Sequence, residues 1–170
     1  NLAVALEECG GATALFLRNL DSIELERFAG TEGAVDPFWS PDGRHIGFFA
    51  RGKLRQMSIE GGAPQTLADA DRFGGAWGAD GTILFTTAFG KPLVRIPATG
   101  GAPQALTTLD ASQQEVSHYW PSFLPDGDHF VFYVRNGRLG EDNAARSTRR
   151  MLSLPRHSRR IRSRPAITAG

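Results

Sequence analysis

Apolar residues recur at alternate positions in short runs, and turn-forming residues separate one run from the next. Ile46 and Phe48 alternate with smaller or outward residues, as do Ile83 with Phe85 and Phe130 with Phe132. Alternation with period two predicts half-buried β-strands. Ahead of these runs stand Phe38 and Trp39; behind them Leu54, Met57 and Ile59 mark a further run, matched by Leu93, Val94 and Ile96. Thr66-Leu67 and Ala105-Leu106 add a brief fourth. Gly, Pro and β-branched residues interrupt every window of helical length, which argues against paired-helix repeats.

These runs repeat as a block. The Asp-Gly pairs at 42–43 and 80–81 are 38 residues apart, and the Gly-Gly-Ala-Pro-Gln pentapeptides starting at Gly61 and Gly100 are 39 apart. A third start is Trp120-Pro-Ser-Phe-Leu-Pro-Asp-Gly127, and Leu15 to Leu20 with Asp21 echoes Leu54 to Ile59 with Glu60. Four strands per period of about 40 residues is the signature of a propeller blade. The predicted fold is therefore all-β, a partial β-propeller of about three to three and a half four-stranded antiparallel blades. The expected divisions are a partial blade over 1–36, blades over 37–74 and 75–118, and a partial blade over 119–137. Asp42-Gly43, Asp80-Gly81 and Asp126-Gly127 are expected to close the first hairpin of each blade, Asp by bonding the turn backbone and Gly by taking φ > 0. Trp39, Trp77 and Trp120 are expected to begin their blades, each filling the wedge between neighbouring sheets. Three or so blades leave apolar faces and strand edges open, so self-association or marginal stability is expected of them alone.

The stretch Trp39-Ser-Pro-Asp-Gly43, with its variants at Trp77 to Gly81 and Phe123 to Gly127, resembles the TolB-type propeller repeat. The longer combination of Phe38 to Ala50, Gly81 to Phe85 and Ser117 to Gly127 resembles the C-terminal propellers of bacterial membrane-anchored serine/threonine protein kinases. The resemblance covers residues 2 to 137. It implies a non-catalytic interaction or sensing module outside the cytoplasm, held at the membrane by a segment that this chain does not contain. Two other parents fit the same repeat: a prolyl-oligopeptidase-type peptidase, whose propeller gates a hydrolase domain, and a TolB-like periplasmic protein-binding scaffold. The partner is a protein or small ligand of unidentified kind, besides the remaining blades of a parent chain.

Composition alters this picture in two places. Gly at 20 and Pro at 10 of 170 residues suit many tight turns, and no apolar run reaches the ~20 residues that span a bilayer as a helix. The chain opens without Met inside a strand-like run, Leu2 to Leu6, which reads as a cut through a blade. The net charge of +1 divides unevenly: residues 144–170 hold eight arginines and no acid, so residues 1–143 carry −7. With no aromatic interleaving and no apolar face, this run argues against nucleic-acid or membrane docking. Residues 138–170 are expected to be a basic tail without strand periodicity, either disordered or an out-of-frame translation.

Catalytic motifs are missing: no phosphate-binding Gly loop, no kinase His-Arg-Asp or Asp-Phe-Gly, no Gly-x-Ser-x-Gly elbow and no His-Glu-x-x-His. No catalytic residue, cofactor site or metal site is expected. Cys9 lacks a His-based activator nearby, and each repeat aspartate lacks the further oxygens calcium requires. His45 and His129 share one blade position and suit a structural role. The chosen binding candidates are His118, Tyr119 and Trp120, expected on an inter-blade loop at the mouth of the channel.

Overall fold

A computed structural model describes residues 2–7, 11–18, 21, 24–137 and 147–154. Its strands form four antiparallel sheets. The first joins β1 (Leu2–Glu7), β2 (Thr13–Arg18) and β3 (Leu25–Arg27) in that order. The second is β4 (Val35–Trp39), β5 (His45–Ala50), β6 (Lys53–Ser58) and β7 (Gln65–Asp69). The third is β8 (Gly75–Trp77), β9 (Thr82–Thr86), β10 (Leu93–Pro97) and β11 (Gln104–Ala105). The fourth is β12 (Glu115–Phe123), β13 (His129–Asn136) and β14 (Ser147–Ser153), entered through a short 3-10 turn at Ala111–Gln113. Two complete four-stranded blades thus stand between two three-stranded ones: an all-β partial propeller.

Alternation explains the stacking. On β5, Ile46, Phe48 and Ala50 pack with Leu15, Phe28 and Met57 between the first and second sheets, while Phe49 faces the other way toward Ile83, Phe85 and Ile96. On β9, Leu84 turns from that core to join Leu93, Phe130, Phe132 and Val134 between the third and fourth sheets. Strand positions of opposite parity thus serve two different cores. Each fully buried Phe or Leu contributes about 1.5–3 kcal/mol. Close approach supplies the wedge: a Cβ on Gly47 would fall 2.3 Å from the Phe38 ring and one on Gly75 2.4 Å from it, so two glycines admit one phenyl group.

The first strands share a distortion. Register shifts interrupt β4–β5 between Val35 and Phe38 and β12–β13 between Tyr119 and Ser122. Asp36 (φ 48°) and Trp120 (φ 47°) sit at these bulges in the left-handed region, and Gly74 (φ 72°) is the same position in the third sheet, three residues before Trp77. A Gly there carries no penalty, whereas for a bulky Trp it is an outlier.

Four expectations require correction. Trp39 and Trp77 end the first strands of their blades rather than begin them, and Trp120 does not share their place; the equivalent ring is Phe123, which packs on the third core while Trp120 is 53% exposed. Blades start earlier than expected, at Val35 and at Glu115, because the bulge lengthens the first strand. His118, Tyr119 and Trp120 are not on a loop but inside β12, with His118 1% exposed. Nor does the arginine-rich run lack strands, since β14 pairs with β13 from His129↔Ser153 to Arg135↔Ser147. Arginines hid this strand's pattern: Arg150 stands where an apolar residue would be expected, and a buried carboxylate compensates it. Cys9 and the remainder of that run lie outside the described residues.

Candidate binding face

Antiparallel order places the turns between first and second strands, and between third and fourth, at one end of each blade. The other end holds the second-to-third hairpins and the links between blades.

At the first end the repeat aspartates bond their own turns. Asp42 Oδ1 accepts from Ser40 Oγ (2.6 Å) and from the Arg44 N–H (3.0 Å). Asp80 accepts from Thr82 through both its N–H (2.9 Å) and its hydroxyl (3.0 Å). Asp126 accepts from the N–H groups of Asp128 and His129 (3.0 and 2.9 Å) and lies 2.8 Å from His129 Nδ1. These bonds hold the Asp42 and Asp126 carboxyls below the usual range, chiefly through the Ser40 hydroxyl and the His129 N–H respectively. Gly43, Gly81 and Gly127 follow with φ of 69°, 81° and 69°. Such groups have little left for a ligand.

The opposite end is built otherwise. Here His118 belongs to a buried polar chain. Its Nε2 lies 3.0 Å from Glu115 Oε2 and its Nδ1 2.8 Å from Thr107 Oγ1, which itself accepts from the Leu93 N–H at 2.9 Å. Nε2 must carry a proton to meet a carboxylate, so in the neutral ring Nδ1 accepts the Thr107 hydroxyl proton. Arg150 Nη1 reaches Glu115 Oε1 at 2.6 Å, and the Asp110 N–H donates to Oε2 at 2.8 Å. Burial holds the His118 pKa below its ordinary value, helped by the Arg150 charge and opposed by Glu115. The hydroxyl–imidazole–carboxylate order is that of a nucleophile with its base. Yet Thr107 is 7% exposed and its oxygen already bonds Leu93, so the chain acts as a clasp joining β12 to β10 and β14.

Tyr119 and Trp120, by contrast, form part of a ring cluster. Tyr119 stacks on Tyr133 (centroids 6.1 Å, 16°), Trp120 meets both rings edge-on at 5.1 and 5.9 Å, and Phe73 lies 6.5 Å from Tyr119 and 5.8 Å from Phe89. Arg135 stands over Phe89 at 5.3 Å and Arg149 over Tyr133 at 5.8 Å. The Trp120 indole leans on Gly74, where a Cβ would fall 2.4 Å from Cδ1, and the Trp120 backbone N–H donates to the Phe73 carbonyl. Phe73, Phe89, Tyr133 and the two arginines escape a reading of the repeat, because loops vary where the turn motif does not; only the adjacency of Tyr119 to Trp120 signalled them. Among the described residues no cluster of His, Cys, Asp or Glu could hold a metal ion.

The shape of this chain is similar to that of a solved protein of Agrobacterium tumefaciens with a provisional TolB designation. The TM-score is 0.69 at 17% identity, over 89% of this chain and 56% of that one. The fold is TolB-like. In sequence, the chain is 30% identical over 105 residues to the uncharacterized protein Atu1656 of Agrobacterium fabrum, covering 56% of this chain and 34% of that protein. It thus spans about a third of the curated relative and just over half of the solved one. No protein-family profile matches.

Proposed function

We propose that this chain is a non-catalytic protein-binding module that engages a polypeptide partner through the end of the blades carrying Phe73, Phe89, Tyr119 and Trp120. The observation that carries this is Trp120: a bulky residue in a left-handed bulge, 53% exposed, among rings that two guanidinium groups overlie. Strain persists where surrounding structure imposes it and clusters at sites of function. Tyr, Trp and Arg are also the residues that dominate protein interfaces. Of the possible parents, a TolB-like scaffold is supported by likeness of fold over most of the chain. The receptor-kinase parent rests on the motifs at 38–50, 81–85 and 117–127.

Photo-crosslinking amino acids at Phe89 and Trp120, with controls at Glu60 and Thr99 on the turn end, test the reading in cells of the source organism. One polypeptide should crosslink from the first pair alone. Equal crosslinking from both ends, or from the controls only, overturns it.

A further inference from the structure

Beside the ring cluster, and sharing Phe73 with it, lies a second feature of the same end. A cleft of about 400 Å³ opens between the Gly33 loop, the Arg51-Gly52 hairpin and the link Ala70–Phe73. Its floor is apolar, with Val35, Phe49, Ala50 and Ala70; its rim carries Arg51, Arg72 and Asp71, all exposed. No hydrogen bond or ion pair holds either guanidinium among the described residues. Among the described residues the rim therefore has two cations to one anion, in a body that is acidic overall.

Arg51 is also conformationally costly. It and Gly52 form the two-residue turn between β5 and β6, with φ of 52° and 72°. Such turns strongly favour Asn or Gly at the first position, because φ is positive there. A Cβ on Gly33 would lie 3.7 Å from Arg51 Cγ, so the stem of the side chain runs beside that loop. A strained position thus presents a guanidinium beside an apolar hollow large enough for one or two side chains.

We infer that this cleft is a subsite for an acidic peptide segment, taking an apolar side chain on its floor and an adjacent carboxylate between Arg51 and Arg72. The inference rests on the protein-binding reading above and names the chemistry of the partner. Guanidinium forks suit a carboxylate with two parallel N–H···O bonds, which a neutral amide cannot match.

The test is titration of the isotope-labelled 170-residue chain with three blocked tripeptides: acetyl-Leu-Asp-Leu-amide, its Asn analogue and its Lys analogue. The Asp peptide should bind most tightly, about fivefold or more over Asn, and move the amide signals of Gly33, Gly52 and Phe73. Raising salt should erode that preference. A double variant, Arg51→Gln with Arg72→Gln, should abolish the Asp-over-Asn ratio while leaving other signals in place. Equal affinity for the Asp and Asn peptides, or shifts elsewhere on the chain, overturns the inference. If the double variant does not fold, the Asp-to-Asn ratio on the unaltered chain decides. Cleft binding without crosslinks at Phe89 or Trp120 would sink the broader reading and leave this subsite standing; the reverse result would sink the subsite alone.

Discussion

The two ends of the blades use the same kinds of polar side chain for opposite purposes. At the turn end, Asp42, Asp80 and Asp126 bond the backbone within three residues of themselves. At the other end one polar chain, Thr107–His118–Glu115–Arg150, runs through the blade interior, and around it stand rings with the guanidinium groups of Arg135 and Arg149 over them. The first arrangement repeats because every hairpin has the same need. The second repeats only at its threonine, since Thr31 accepts from the Leu15 N–H as Thr107 does from that of Leu93; the His118–Glu115–Arg150 part has no counterpart among the described residues. A repeat motif thus reports how a blade is closed, and the residues that depart from it report what the blade is for.

The largest expected effect tests whether the loop end really hangs on its clasp. Glu115→Ala removes a carboxylate with no side-chain exposure and strips His118 and Arg150 of their partner. Losing one member of a buried pair costs several kcal/mol. Arg150 is 44% exposed and can rehydrate, so about 3 kcal/mol is expected, or roughly 6–12 °C in Tm for a chain of this size. Glu115→Gln keeps an acceptor for His118 and should cost about half as much. Equal and small losses for both would mean that the clasp contributes little and that the two ends differ less than their geometry suggests.

Acid sharpens the same comparison. The folded-state pKa of His118 is lowered, so the unfolded chain takes up the proton first as pH falls through the ordinary histidine value of about 6.5. Stability is full above that pH and declines below it. The charged groups facing the ring are Glu115 and Arg150, and the second opposes protonation. The carboxyls of Asp42, Asp110 and Asp126 are lowered mainly by bonds from the Ser40 hydroxyl, the Ser112 hydroxyl and the His129 N–H. They withdraw stability with the same sign, but only below about pH 4. Thermal melts between pH 7.5 and 5 should therefore lose Tm in the parent chain and much less in His118→Gln. An unchanged slope in that variant would remove His118 as the cause.

At the turn end the expected losses are smaller and alike. Asp80→Ala and Asp126→Ala each remove bonds to turn N–H groups exposed enough for water to replace them, so each should lower Tm only slightly in thermal melts. A loss at either as large as that of Glu115→Ala would erase the contrast. How much of this was legible in the chain follows from the same division. The strands of the two middle blades show through because Ile46, Phe48, Ile83 and Phe85 alternate, and the hairpins because Asp-Gly recurs. Strand β14 was not legible: Arg149 faces out, and Arg150 points in to a carboxylate that only the fold brings near. His118 was misread for the same reason, since its partners Thr107 and Glu115 belong to a link and a strand start that carry no repeat signal. Trp120 looked like the counterpart of Trp39 and Trp77, but Phe123, three residues on, holds that place, and Trp120 sits at the bulge instead.

The smallest effect is the one that would separate the ends most cleanly, because its sign differs from the others. Arg51→Gly relieves a positive φ at a position where a side chain is strained. Glycine also gives the unfolded chain more freedom, which offsets part of the gain. The balance is a stabilisation of about 0.5 kcal/mol, measured by urea unfolding with an unchanged m-value. In the same variant the preference for acetyl-Leu-Asp-Leu-amide over its Asn analogue should fall, because one of two guanidinium groups is gone. Higher stability with weaker discrimination is what a binding residue held against its backbone preference produces. Lower stability on replacing Arg51 would mean that its stem, running beside Gly33, serves packing, and the left-handed turn would then need no ligand to account for it.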